Sequence, residues 1–315
     1  MLKKSDTAAE TRKDITKVGW TLHMMRVNWV GYAMIAPFFI IFLAFTALPV
    51  VLSLILSLTD FNMLEFPPHW LGMANYVQLI LEDDLFITAL KNTLIFAICT
   101  GPISYILSFL IAWFINEIPP KIRAVVTLIF YAPSISGQVY LVWQTLFADD
   151  SYGWANAWLT KLGIIDAPIL WFHDESWAMI LCIIVALWTS LGTAFLSFIA
   201  GLQGIDRAQY EAAAIDGVKN RWQELWYVTL PNMKAQLLFG AVMTITQSFG
   251  FGPIVDALCG NPSVNYCCWT LQHHLNEYGN TRWEMGYACS ISFVLFLLMF
   301  GCNLLIKKLL SKLGS

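Results

Sequence analysis

The stretch IDRAQYEAAAIDGVKNRWQELWYVTLP, residues 205–231, is polar and lies between two long apolar runs. It reads as two short helices joined by a glycine. Asp206 suits an N-cap, and Gln209 three residues later suits the return arm of a capping box. Ile205 and Tyr210 occupy the two positions of a hydrophobic staple. Ala212, Ala213 and Ala214 favour helix and keep one surface low. Gly217 suits the left-handed residue that ends a helix. Asn220 with Gln223 starts a second helix, and Pro231 marks where it must stop or kink. A helix of about ten residues is roughly 15 Å long. That is too short to cross a bilayer and long enough to seat in a partner's groove.

Outward from this stretch the chain is a membrane protein. Its 315 residues are 58% hydrophobic and 12% charged, with a mean hydropathy of +0.62, which excludes an ordinary soluble domain. Several apolar runs are long enough for about 30 Å of hydrocarbon. Six spans are predicted, at 29–58, 89–116, 124–147, 176–201, 232–257 and 285–306. Bends are expected at Pro37 and Pro49 in the first, an interruption at Gly101-Pro102 in the second and a break at Pro133 in the third. The segment HWLGMANYVQLI reads as a helix lying along the interface, and residues 148–175 are acidic and tryptophan-rich, as interfacial segments are. No signal-peptide pattern follows the basic N-terminal residues.

Charge sets an expected orientation. With both termini cytoplasmic, fifteen of the 18 Lys and Arg fall in the N-terminal segment, the NEIPPKIR turn, residues 205–234 and the tail. Lys91, Lys161 and Arg282 remain for the outer side. That bias follows the positive-inside rule and puts residues 205–231 in the cytoplasm.

Residues 205–231 also resemble the EAA loop of the membrane subunits of binding-protein-dependent ABC importers. Glu211, Ala212, Ala213, Gly217, Val228, Leu230 and Pro231 match the motif, with ten residues instead of nine between Gly217 and Val228. The flanks GLQGID and RWQELWYVTLP are similar to the sugar-permease branch, the maltose, lactose and glycerol-phosphate type. The resemblance implies an all-α membrane protein of six transmembrane helices with the type I ABC importer permease fold. Its domains are then a cytoplasmic segment 1–28, a first helix and outer loop 29–87, the transmembrane domain 88–306 and a cytoplasmic tail 307–315. It further implies a second permease subunit, two ATPase subunits and an extracytoplasmic solute-binding protein as partners. ATP is bound by the ATPase subunits, so this chain needs no cofactor of its own. Tyr210, Glu211, Ala212, Ala213, Asp216 and Gly217 are the ATPase-coupling candidates.

Two common energy sources are not expected in the chain itself. No ionisable side chain is expected near the middle of any span, which counts against proton coupling. The chain has no phosphate-loop motif. It also has no HExxH, no paired intramembrane carboxylates and no Gly-x-Ser-x-Gly, which ranks a membrane enzyme last. A sodium-coupled secondary transporter built on backbone carbonyls stays open. Ser190, Thr193, Thr244, Gln247, Ser248 and Phe251 line a candidate path for a neutral polyol; the alternative is that the hydroxyls only mediate close helix packing. Cys267-Cys268 with His273-His274 match no familiar zinc spacing, so no metal ligand set is assigned. A disulfide from Cys259 to Cys267 or Cys268 is left open.

Overall fold

The computed structural model describes residue 24, residues 26–137 and residues 139–313, with side chains as far as residue 308. The basic residues before Met24 and Lys312 of the tail, which enter the charge argument, lie outside the described residues and side chains. Among the described residues the regular structure is all helix, joined by turns and loops, apart from two isolated bridges, Thr59 with Trp70 and Asn62 with Glu65. Four helical segments are long and apolar enough to cross a membrane, and two further bent pairs bring the number to six if each pair is one span.

The first unit of the chain ends at Ile55. It holds α1 (Trp29–Phe42), a π turn (Leu43–Ala47) and most of α2 (Leu48–Leu56). Its apolar residues are spread all round the axis and none is buried, which is the pattern of a helix surrounded by lipid. Pro37 lies within α1 without a break. The deviation falls at the π turn, two residues before Pro49; a wider turn lets a proline ring avoid the carbonyl four residues back.

The second unit begins with α3 (Ala74–Leu81), the expected interfacial helix, and then α4 (Asp84–Asn116). Asp83 caps α4 by accepting from the Phe86 N–H at 3.0 Å. The interruption expected at Gly101-Pro102 is absent, because α4 runs unbroken through Pro102. Nearby, the Thr100 and Ser104 hydroxyls donate back to the carbonyls of Phe96 and Gly101 within the same helix. At its far end the Arg123 guanidinium donates to the carbonyls of Asn116 and Ile118. The NEIPPKIR turn is thereby closed by a cation on the helix's negative end.

Three of the remaining spans are interrupted. The third comprises α5 (Pro120–Ile135) and α6 (Tyr140–Leu146), breaking just beyond Pro133. After α7 (Trp154–Lys161), the fourth comprises α8 (Glu175–Thr189) and α9 (Thr193–Gln203). The break between them, at residues 190–192, is not foreseen from sequence. After α10 (Arg207–Ile215) and α11 (Arg221–Glu224), the fifth comprises α12 (Lys234–Ser248) and α13 (Gly252–Cys259), bent by 43°. A short α14 (Leu271–Asn276) precedes α15 (Met285–Leu313).

The core is built where α4, α9 and α12 cross. Phe198 and Phe195 are fully buried there with Phe109 and Met233. Gly240 makes the approach possible: a Cβ at that position would sit 2.3 Å from the Phe198 ring. Small residues at such crossings let helices pack by dispersion where lipid supplies no hydrophobic drive. A second cluster holds Phe96, Cys182, Val185, Val255 and Cys268 between α8 and α13.

Candidate functional site

The polar stretch folds as two capped helices. Asp206 caps α10 by accepting from the Ala208 N–H at 3.0 Å. The expected capping box does not close, because the Gln209 side-chain oxygen accepts from Asn232 instead. The Tyr210 hydroxyl lies 3.0 Å from that of Thr229, and Ile205 packs on the Phe195–Phe198 cluster. At the other end, Gly217 has φ +96°. Its N–H donates to Ala214 O, and the Val218 N–H donates to Ala213 O. These two bonds form a Schellman closure, which requires a left-handed residue and therefore favours glycine. The space around Gly217 is open, so the constraint is backbone conformation rather than crowding.

Asn220 caps the second helix through the Gln223 N–H, and Gln223 accepts from the Lys219 N–H in return. α11 then passes into a π turn (Leu225–Thr229), again two residues before a proline, Pro231. A π turn holds one residue more than an α turn. This turn lies at the end of the ten-residue interval between Gly217 and Val228, in the segment that buries Leu225, Val228 and Thr229.

The two helices are held differently. α11 is fastened to the end of α4: the Trp222 and Trp113 rings lie 5.3 Å apart, and Arg221 bridges Glu117 at 2.5 Å and Glu224 at 2.7 Å. The hydrogen bond to Glu224 first, with the Glu117 charge, holds the Arg221 guanidinium above its usual pKa against a smaller effect of burial. α10 instead buries none of its residues, and Ile215 at its tip is 87% exposed. Glu211, Ala212, Asp216 and Gly217 are exposed, while Tyr210 and Ala213 are half-buried. A cleft of about 640 Å³ runs between α10, α11 and the NEIPPKIR turn, and Glu211, Arg207 and Arg123 line it. Glu117, Arg221, Trp113 and Trp222 are the residues that sequence reasoning misses, since Glu117 and Arg221 are 104 positions apart and share no local pattern.

The path candidates divide into two groups. Ser190, Thr244 and Ser248 are buried, and each hydroxyl donates to a carbonyl of its own helix. Phe251 is buried with its ring 6.0 Å from that of Phe96. Thr193 and Gln247 are exposed. Gln247 reaches across to the break in the fourth span: a Cβ at Gly192 would lie 3.4 Å from Gln247 Nε2 and 3.8 Å from the Ser134 hydroxyl. The interruptions of the third, fourth and fifth spans therefore converge on Gly192. Among the six candidates, the structure brings Gln247 to that meeting point, with Ser134 as an unforeseen neighbour.

Interrupted apolar helices, two of them joined by a polar helix pair, fit the membrane subunit of a transporter. The chain belongs to the family of binding-protein-dependent transport system inner membrane components, which it matches over residues 17–313. It is 32% identical over 290 residues to the probable ABC transporter permease protein YesP of Bacillus subtilis, covering 89% of this chain and 90% of that one. It is 30% identical to the arabinooligosaccharides transport system permease protein AraP of the same organism, covering 92% and 91%. It is 32% identical to the lactose transport system permease protein LacF of Rhizobium radiobacter, covering 85% and 90%. A bacterial ABC transporter involved in alginate import shares the fold, with a TM-score of 0.72 over 94% of this chain and 99% of that one at 22% identity. The chain is thus a multi-pass inner-membrane permease subunit of an ABC importer.

Proposed function

We propose that this permease forms, with a second permease subunit, the path for a sugar or oligosaccharide handed over by a solute-binding protein. Two ATPase subunits drive it through α10, and the chain itself catalyses no covalent chemistry and holds no cofactor. The observation that carries the coupling is the contrast between the helices: α10 is a capped rod with no buried residue and an exposed Ile215 at its tip, while α11 is fastened to α4. A rod of that kind offers a surface for a partner's groove, and α11 passes its displacement to the fourth and fifth spans as rigid-body motion. The Lys and Arg bias supports a cytoplasmic position for this helix pair and for both termini.

The substrate class rests on two supports. The relatives above carry names in arabinooligosaccharide and lactose transport. Around Gly192 the side chains are an amide and hydroxyls, from Gln247, Ser134 and Thr193, which suit the neutral hydroxyls of a sugar. The test is uptake of a labelled sugar panel by vesicles holding the complete importer. ATP-dependent uptake of at least one neutral saccharide is expected, with Gln247→Leu lowering uptake while subunit stoichiometry is unchanged. Uptake by this chain alone on an ion gradient would overturn the reading.

A further inference from the structure

Three cysteines from three separate segments meet in the core at the end of the bundle away from α10. Cys182 comes from α8, Cys259 from the last position of α13 and Cys268 from the loop before α14. The Cys182 and Cys259 sulfurs are 3.4 Å apart, and all three sulfurs lie within 4.8 Å of one another. The three residues are 0%, 3% and 0% exposed. All are free thiols. Cys267 is half-buried, and its sulfur lies 3.8 Å from that of Cys268, so a fourth thiol leads from the cluster toward the surface.

We propose that Cys182, Cys259 and Cys268 form a three-sulfur site for a d10 dication of the zinc–cadmium class, loaded by way of Cys267. A cation about 2.3 Å from each of three sulfurs holds them roughly 4 Å apart, which falls between the 3.4 Å of the Cys182–Cys259 pair and the 4.8 Å that bounds all three. Thiolate donors select soft cations. The surroundings choose the charge: the shell is apolar, with Phe172, Val185 and Val255 among its members. Three thiolates around a dication leave one net negative charge, whereas a monovalent ion leaves two, and burial penalises the larger charge more. Binding releases the three S–H protons to solvent as three metal–sulfur bonds form. A bound ion ties the middle of α8, the end of the fifth span and the loop to one another, and so opposes their relative movement. This consequence for transport rests on the function proposed above; the binding does not.

The test uses the complete importer, reduced and freed of metal, with Cd2+ alone as the probe. One Cd2+ per permease chain is expected, seen as a sulfur-to-cadmium charge-transfer band. Cd2+ should protect Cys182, Cys259 and Cys268 from alkylation, read by peptide mass spectrometry, while Cys99 and Cys302 stay reactive after denaturant-free labelling to their metal-free extent. Cys259→Ser and Cys268→Ser should each weaken binding tenfold or more, and Cys302→Ser should leave it unchanged. Cys267→Ser should slow loading without changing stoichiometry. Absence of the band in the folded wild-type complex, equal protection of Cys302, or a native Cys182–Cys259 disulfide found by mass would each overturn the site. Separately, Cd2+ should lower substrate-stimulated ATP hydrolysis severalfold in wild type and spare Cys259→Ser. Binding without that inhibition would keep the site and refute only its mechanical effect.

Discussion

At the scale of single residues, backbone conformation and close approach decide more than charge does. Gly217 stands at φ +96° in open space, so Gly217→Val forces a β-branched side chain into a region that costs about 1–3 kcal/mol. The expected outcome is normal membrane insertion with several-fold less ATPase subunit recovered on purification. Undiminished recovery would remove the cap from the coupling argument. Gly240 is the opposite case, since its φ is ordinary and its neighbour is not: Gly240→Leu drives side-chain atoms into Phe198 and should cost about 1–3 kcal/mol of stability, read from the thermal midpoint in detergent. Titration adds a third test. Burial holds the His274 imidazole below its ordinary pKa of 6.5 although Asp83, 2.9 Å away, pulls it upward. Asp83 is itself held below its ordinary 3.8; burial raises it, and hydrogen bonds from Tyr287, the Phe86 N–H and His274 outweigh that. In both cases the unfolded chain takes up the proton first as pH falls. Stability is therefore lost from about pH 6.5 downward through His274, and further below about 3.8 through Asp83. The thermal midpoint should drop between about pH 7 and pH 5, and His274→Gln should flatten that profile.

At the scale of elements, the sequence revealed the helix pair far better than the crossings. Asp206, Gly217 and Asn220 announce their caps because capping is local, dictated by residues within a few positions. One local reading failed for a tertiary reason: the Gln209 side chain found its partner at Asn232, across the turn of the chain, in preference to the cap. Prolines were legible as perturbations and not as outcomes. Pro102 leaves α4 intact, while Pro49 and Pro231 each sit two residues after a π turn. The break at residues 190–192 was invisible because its only local sign is Gly192, and what occupies the space beside Gly192 arrives from the third and fifth spans. The Arg221–Glu117 pair was equally hidden by distance along the chain. Both groups are well exposed, so a double-mutant cycle on Arg221→Ala and Glu117→Ala should give a coupling of only about 0.2–1 kcal/mol in stability. Its larger effect is expected in the ratio of transport to ATP hydrolysed, because the pair fastens α11 to α4.

At the scale of the second unit, crossings broken in mid-course approach one another near Gly192, and the continuous α4 packs against two of them. Continuous α4 and α15 keep their backbone bonds within the helix, as lipid demands. The third, fourth and fifth spans give up that regularity near Gly192, which lies beside Ser134 and Gln247. Such an arrangement makes polarity at depth a property of the main chain. A permease of this construction tolerates exchange of one lining side chain for another by changing which solute it prefers. It cannot lose the splice itself and still offer water a way through. Residues that straighten the fourth span, such as Ala at both Leu191 and Gly192, should therefore abolish passage of every cargo alike, including those that Gln247→Leu admits, and a solute panel run on both variants separates selectivity from conduction.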